Sequence, residues 1–391
     1  MYDFQLEMPT TAAVLFGCAV FFLVLVWVFY IRPVRRVTHA IEASENDEVP
    51  EVSVSASVIV FACDEADALK HLLPIILGQR YDSPFEVIVV NEGQSDATVA
   101  VVERLRNIHN NLYLTHTPDG ARQLSRKKLA LMIGIKAARY PVVVHTTASA
   151  RIDSEDWLAR MTAPFATEGV EVVIGHSFID PSQDKGLGRR GRTFNSAADD
   201  VVWLASALKG RPYRGTELNL AYTRDAFFRN RGFSRSLNLK YGDDDLFVNE
   251  IANKDNTAVV LHPDSVVKRT AWNVPRVYKE LRSRYRFTGR QLSHIPRFMQ
   301  TLGTWLLWLI LGLSVVAALL MLPNLLGVAI GAVIILAALI WPTVVWRKAI
   351  KVMYGKSMML TLPWLAFMRP FANIVSSLKA RKNNKYNYTW N

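Results

Sequence analysis

Val87-Ile88-Val89-Val90-Asn91-Glu92-Gly93-Gln94-Ser95-Asp96-Ala97-Thr98 is the stretch whose reading decides the fold. Four consecutive apolar β-branched residues suit a parallel strand covered by helices on both faces. The polar run behind them contains a glycine and reaches Ser95-Asp96, either of which can cap the start of a helix. A strand that feeds a helix through a short polar turn is the unit of an α/β layer fold. Working outward, Val58-Ile59-Val60-Phe61, Val142-Val143-Val144 and Val172-Val173-Ile174 have the same character. Helical stretches lie between them at Ala66 to Gln79, Asp96 to Ile108 and Lys127 to Ala138. The alternation predicts an α/β domain from Val54 to Arg269 with ligands at the carboxyl ends of its strands. Within it, Asp180 to Arg192 is Gly-rich and basic and reads as a mobile loop.

The ends of the 391-residue chain differ from its middle. Thr11 to Ile31 is an uncharged apolar run, long enough for a bilayer core that needs about 20 residues. It exceeds the ~7–15 residues of a signal-peptide core and no small-residue cleavage site follows, so it reads as a retained anchor. Thr301 to Leu322 and Leu325 to Trp346, split by Pro323-Asn324, read as a transmembrane hairpin. Arg32, Arg35 and Arg36 follow the first span, whereas only Asp3 and Glu7 precede it. The positive-inside rule then puts the N-terminus outside and the central domain in the cytoplasm, in a multi-pass protein of the cell (inner) membrane. Arg290 and Arg297 before the hairpin, with Arg347, Lys348 and Lys351 after it, agree.

The expected organisation is an anchor over 1–36, a linker over 37–53, the α/β domain over 54–269, a basic juxtamembrane segment over 270–300, the hairpin over 301–346 and a terminal part over 347–391. In that last part, Ser357 to Leu378 carries Arg369 and two prolines and precedes the basic tail Lys379 to Lys385. An interfacial helix is expected there rather than a further span, because a crossing would strand the tail outside. Cys18 and Cys63 give neither a disulfide framework nor a metal spacing.

Lys268 to Arg297 holds nine Lys or Arg and one acid, Glu280, with Trp272, Tyr278, Tyr285 and Phe287 among them. Next to membrane spans, this pattern predicts contact with anionic membrane lipids and argues against nucleic acid as a partner. By contrast, Asp243-Asp244-Asp245 concentrates three carboxylates in a chain of net charge +12. Adjacent acids repel one another unless cations, amide donors or a proton compensate, so the triplet marks either a helix-capping turn or a reactive site.

Taken in order, these residues resemble the membrane-bound, inverting glycosyltransferases of family 2, which have the GT-A fold. Asp64-Glu65, the Val87 to Thr98 stretch and Lys127-Lys128-Leu129-Ala130-Leu131 are similar to that family's nucleotide-sugar half. Asn219-Leu220-Ala221-Tyr222, then Phe227-Phe228 and Gly232-Phe233, then Gly242-Asp243-Asp244-Asp245-Leu246-Phe247 are similar to its acceptor half. The resemblance implies a mixed or parallel GT-A-like sheet and a hexosyltransferase-like activity. The expected partners are a nucleotide-diphosphate sugar as co-substrate and a lipid-linked or cell-surface glycan as acceptor. It assigns Glu92, beside Asn91, to the nucleobase, Asp64 and Glu65 to the nucleotide pocket, and Lys127 and Lys128 to the diphosphate. Asp244 matches the general base, tuned by Asp243 and Asp245, in a single displacement with inversion. Asn219, Asp245, Arg284 and Tyr285 fall on the acceptor and diphosphate side.

Two positions depart from the family pattern. After Val142 to Val144 the family carries Asp-x-Asp, which holds Mg2+ or Mn2+; here those positions are Thr147 and Ser149. Neutral hydroxyls are poor substitutes for carboxylates on a hard cation. The resemblance therefore leaves the metal open, and Arg151 is expected to bring positive charge to the diphosphate. The family's Gln-x-x-Arg-Trp reads Leu281-x-x-Arg284-Tyr285, which argues against a processive polymer synthase. The lost acid pair also motivates an alternative, a non-catalytic nucleotide-sugar-binding or scaffold relative.

Overall fold

The computed structural model describes residues 9–93, 95–117, 125–292, 295–322 and 324–383. Gln94 and Pro323, both read above as parts of motifs, lie outside the described residues. The end of the basic tail lies outside them too. Two compact units are present, one of residues 1–39, 188–205 and 294–379, the other of 40–187, 206–293 and 380–391.

In chain order, α1 (Thr10–Val26) passes through a π-helical turn, Trp27–Ile31, into α2 (Arg32–Ser44). The α/β part follows with β1 (Ala56–Ala62), α3 (Ala66–Leu77), β2 (Phe85–Asn91), α4 (Asp96–Arg106), β3 (Leu112–His116), α5 (Arg126–Ala137) and β4 (Val142–Thr147). Next come β5 (Ala150–Ile152), α6 (Trp157–Thr162), β6 (Val172–Gly175), β7 (Ser177–Ile179), α7 (Arg189–Ala207), β8 (Leu220–Thr223) and α8 (Arg224–Arg229). Then α9 (Asp245–Ile251), β9 (Thr257–Val260), β10 (Val267–Arg269), α10 (Val274–Thr288), α11 (Ile295–Leu320), α12 (Leu325–Tyr354) and α13 (Leu362–Asn383) complete the chain.

The main sheet has seven strands in the order β3-β2-β1-β4-β8-β6-β9. Its first four are parallel, while β8 runs antiparallel to both β4 and β6. All seven residues of β1 are buried. This explains the absence of polar alternation in the sequence: Val58 and Val60 pack among α3 residues such as Leu72 and Ile76, and Ile59 approaches Gly134 of α5 from the opposite face. The register Ala62↔Asn91 aligns the ends of β1 and β2, and Phe61↔Thr147 aligns those of β1 and β4. The carboxyl ends of the three strands therefore open together. A second sheet, β5-β10-β7, joins residues just past β4 to residues just before α10.

The other unit contains α1, most of α7, α11, α12 and α13. Among the described residues, three helical runs are long and apolar enough to cross a membrane: Thr10–Ser44, Ile295–Leu320 and Leu325–Tyr354. Polar groups tie the unit internally. Arg369 donates to Gln300 at 2.8 Å and to Asp199 at 3.2 Å, and Tyr354 donates to Asp200 at 2.5 Å.

Several sequence expectations need correction. The linker expected over 37–53 is helical as far as Ser44, because Val34, Val37, Thr38 and Ile41 bury one face at helical spacing. The loop expected over 180–192 gives way to α7 at Arg189. Residues 188–205 belong with the apolar helices rather than with the α/β domain, since Phe194, Ala197, Ala198 and Val201 recur at helical spacing and are buried. The hairpin helices also extend beyond the runs expected, starting at Ile295 and ending at Tyr354.

Candidate active site

The ends of β1 and β2 are knitted together by Asp64. It takes the left-handed region at φ 55°, and its carboxylate accepts from the Ser95 N–H at 2.9 Å and from Asn91 Nδ2 at 3.3 Å. Asn91 returns a bond, its Oδ1 accepting from the Asp64 N–H at 3.2 Å, and its Nδ2 donates to the Gly93 carbonyl at 3.0 Å. Gly93 is needed here because a Cβ would land 2.0 Å from the Asp64 carboxylate. Glu92 is half-buried beside Arg126, whose Nη2 donates to the Glu92 carbonyl at 2.8 Å. Glu65 lines a cavity of ≈ 750 Å³ together with Ser149, Glu217, Tyr241, Arg269, Trp272 and Arg284. Burial pushes its carboxyl above the ordinary value.

One side of that cavity is a charge cluster centred on Glu217. Its carboxylate pairs with Lys127 of α5, Arg269 of β10 and Arg284 of α10. Burial opposes its ionisation, but the three cations outweigh burial and hold Glu217 well below the usual carboxylate range. Lys127 also meets Asp243 at 2.6 Å, and Arg284 meets Asp243 at 3.0 Å and Asp244 at 2.8 Å. The same balance holds Asp243 below the usual carboxylate range: burial pulls upward, and Arg284 and Lys127 prevail.

The acid triplet thus lies next to this cluster with almost no exposure: 1 % for Asp243 and 0 % for Asp244 and Asp245. Asp244 accepts from the Glu217 N–H at 3.1 Å and from the Tyr285 hydroxyl at 3.3 Å. Asp245 accepts from the Thr288 hydroxyl, and burial, reinforced by the charge of Asp244, raises its pKa to about 7. Arg284, Tyr285 and Thr288 share one face of α10, so a single helix closes over all three carboxylates. Tyr285 is itself held by the Arg214 guanidinium, 3.4 Å from its ring centroid.

Four expected site residues have other surroundings. Lys128 is fully buried, and its Nζ donates to the carbonyls of Leu239 at 3.2 Å and Tyr241 at 2.8 Å, fastening the segment before the triplet. Asn219 is fully buried among the His176 and Ser265 carbonyls and the Trp157 indole, bracing the core rather than facing an acceptor. Arg151 pairs with Asp153 at 2.7 Å and Asp180 at 3.2 Å, outside the lining of the large cavity. Asp245 also stays out of that lining, as do Asp243, Asp244 and Lys127, which reach it only through Glu217 and Arg284. Sequence reasoning missed Glu217 and Arg269. Their signals are faint: an acid one residue before Leu218-Asn219-Leu220, and a basic residue closing a three-residue strand.

The residues at the expected cation position do not fit a divalent metal. Thr147 Oγ1 and Ser149 Oγ hydrogen-bond each other at 2.9 Å, and Arg269 donates to the same Ser149 oxygen at 2.9 Å. Among the described residues, no three His, Cys, Asp or Glu side chains converge as a ligand set. Hard cations take several anionic oxygens, and here a guanidinium approaches instead.

The glycosyl transferase family 2 model matches residues 57–242, from β1 to the glycine before the acid triplet. No curated protein matches the sequence. Among solved structures, the chain is similar to a mannosyltransferase from Pyrobaculum calidifontis in complex with GDP-Man and Mn2+, at 20% identity and a TM-score of 0.49, over 90% of this chain and 100% of that one. It is also similar to glucosyl-3-phosphoglycerate synthase from Mycobacterium tuberculosis in complex with Mn2+, UDP-glucose and glycerol 3-phosphate, at 16% identity and a TM-score of 0.37, over 61% of this chain and 80% of that one. A third is mannosyl-3-phosphoglycerate synthase from Rubrobacter xylanophilus, at 14% identity and a TM-score of 0.38, over 67% and 79%. From β1 to the glycine that opens the acid triplet, residues 57–242 thus match glycosyl transferase family 2, on a mixed parallel and antiparallel sheet whose strand ends open together.

Proposed function

We propose that the protein transfers a sugar from a nucleotide-diphosphate donor to a lipid-linked or cell-surface glycan acceptor at a membrane, by single displacement with inversion. The observation that carries this reading is the cation cluster of Lys127, Arg269 and Arg284 around Glu217: Arg269, Arg284 and Glu217 line a ≈ 750 Å³ cavity, and Arg284 also pairs with the buried Asp244. The volume lies in the ~300–1,000 Å³ range of small-molecule sites. Asp64, Glu65 and Glu92 are taken as the nucleoside end, and Arg269 and Arg284 as the diphosphate end. Guanidinium groups suit that charge, because their N–H donors match phosphate oxygens in pairs.

The acceptor hydroxyl attacks the anomeric carbon from the face opposite the nucleotide, and Asp244 takes its proton as the C–O bond forms. The bond to the diphosphate breaks with its electron pair, and the leaving charge falls among the cations. Glu217 is a poor alternative base, because three cations hold it well below the usual carboxylate range. The Tyr285 hydroxyl now covers Asp244 Oδ2 at 3.3 Å, and the acceptor hydroxyl would replace it as donor to the same oxygen. The three apolar helical runs and the basic α10 segment support a membrane-held acceptor, with the N-terminus outside and the domain in the cytoplasm.

Purified protein is to be offered UDP-, GDP- and dTDP-sugars with a membrane lipid extract. Transfer of label from one donor into the lipid fraction, with release of its nucleoside diphosphate, is the expected result. Failure to transfer or hydrolyse any donor would contradict the reading and favour a non-catalytic, donor-binding relative.

A further inference from the structure

The positions at which the family pattern has metal-binding acids meet a cation built into the chain. Arg269 Nη1 donates to Ser149 Oγ at 2.9 Å, and its Nη2 pairs with Glu217. The side chain is 13% exposed and lines the large cavity. Its backbone is fixed against the segment that carries Ser149. Arg269 pairs with Ala150 in the antiparallel β5–β10 ladder, and the N–H and hydroxyl of Thr270 each donate to the Ser149 carbonyl at 2.9 Å. The pairing sets the backbone beside the Thr147-Ser149 turn, and the bonds to Ser149 Oγ and Glu217 hold the guanidinium there.

Resting on the donor-binding reading above, we propose that Arg269 does the work of the divalent cation, so that this protein binds nucleoside diphosphates without metal. A guanidinium is charged at every accessible pH and offers several N–H donors in one plane to phosphate oxygens. Two neutral hydroxyls are weak ligands for a hard dication, and the guanidinium beside them brings positive charge where the family pattern has carboxylates. In the free protein Glu217 neutralises Arg269, and the diphosphate oxygens compete with Glu217 for the same N–H groups.

The test is calorimetric titration of the full chain in detergent with UDP and with GDP, in excess EDTA and in excess MnCl2. The expected Kd of the nucleotide that binds is the same in both within about threefold, less than one hydrogen bond's worth. Arg269→Ala is expected to weaken it about 30-fold in both conditions, the size of a lost charge-assisted bond, and Arg269→Lys less. Binding that requires Mn2+ overturns this inference and leaves the donor-binding reading standing. Binding of neither nucleotide in either condition overturns both. The wild-type comparison needs no variant, so a misfolded Arg269→Ala leaves the test intact; a folded Arg269→Ala that binds normally also overturns the inference.

Discussion

At the scale of single residues, the site is a set of buried carboxyls whose ionisation is set by their neighbours. Asp243 and Glu217 are held anionic by Lys127 and Arg284, whereas Asp245, one residue beyond Asp244, has a pKa raised to about 7 by burial and by its neighbour's charge. A carboxyl whose folded value lies above its unfolded value of about 3.9 stabilises the fold at low pH and loses that contribution as pH rises through the folded value. The wild type should therefore lose stability between about pH 4 and 7 that an Asp245→Asn variant keeps. Thermal unfolding of both proteins across that window reads the difference, since the opposite trends of Asp243 and Glu217 are common to both. A wild-type curve parallel to that of Asp245→Asn would refute the buried, proton-holding role. The triplet was legible in the sequence because its three members adjoin. The Glu217 cluster was not, because its partners lie 90, 67 and 52 residues away from it in the chain. Neither Lys128 nor Asn219 announced its bracing role, since a motif records which residue stands at a position and not which way its side chain is drawn.

At the scale of elements, the parallel strands and the helices α3 and α4 followed directly from periodicity, because strands buried on both faces and amphipathic helices leave different patterns. The short strands β5, β7 and β10, each of three residues, left no such pattern, yet they bring Arg269 to Ser149. The strand-to-helix turn after β2 is the element most open to test. Gly93→Ala would drive the Asp64 carboxylate out of its bonds to Ser95 and Asn91, because the new methyl would lie 2.0 Å from it. Two or more hydrogen bonds are lost at the proposed nucleotide pocket, so UDP or GDP affinity should fall by roughly tenfold or more while the core strands stay intact. Calorimetry and far-UV circular dichroism of the variant measure the two halves of that statement. Unchanged nucleotide affinity would remove the Asp64 turn from the donor site. At α10 the sequence showed a basic, aromatic segment without revealing that Arg284, Tyr285 and Thr288 share the face that closes over the acids.

At the scale of the whole molecule, the apolar runs were the plainest signal in the chain, since about 20 uncharged apolar residues have few other uses. Assigning 188–205 to the apolar-helix unit was beyond that signal, because α7 is amphipathic and lies in sequence between strands of the α/β domain. The proposed orientation has a built-in reporter, the exposed Cys63 next to the nucleotide pocket. In intact cells a membrane-impermeant maleimide should label an introduced cysteine at Thr10→Cys and leave Cys63 unlabelled until the cells are permeabilised. Labelling of Cys63 in intact cells would invert the topology. The claim that joins all three scales is that Asp244, enclosed by α10 beside the cations, accepts the acceptor's proton. It is tested most directly by the rate of sugar transfer for the wild type and Asp244→Asn, with nucleotide affinity and unfolding temperature measured on the same samples. Transfer should fall by about 10²–10⁴-fold while nucleotide affinity and folding are kept; an Asp244→Asn enzyme that transfers sugar at the wild-type rate would remove Asp244 as the base.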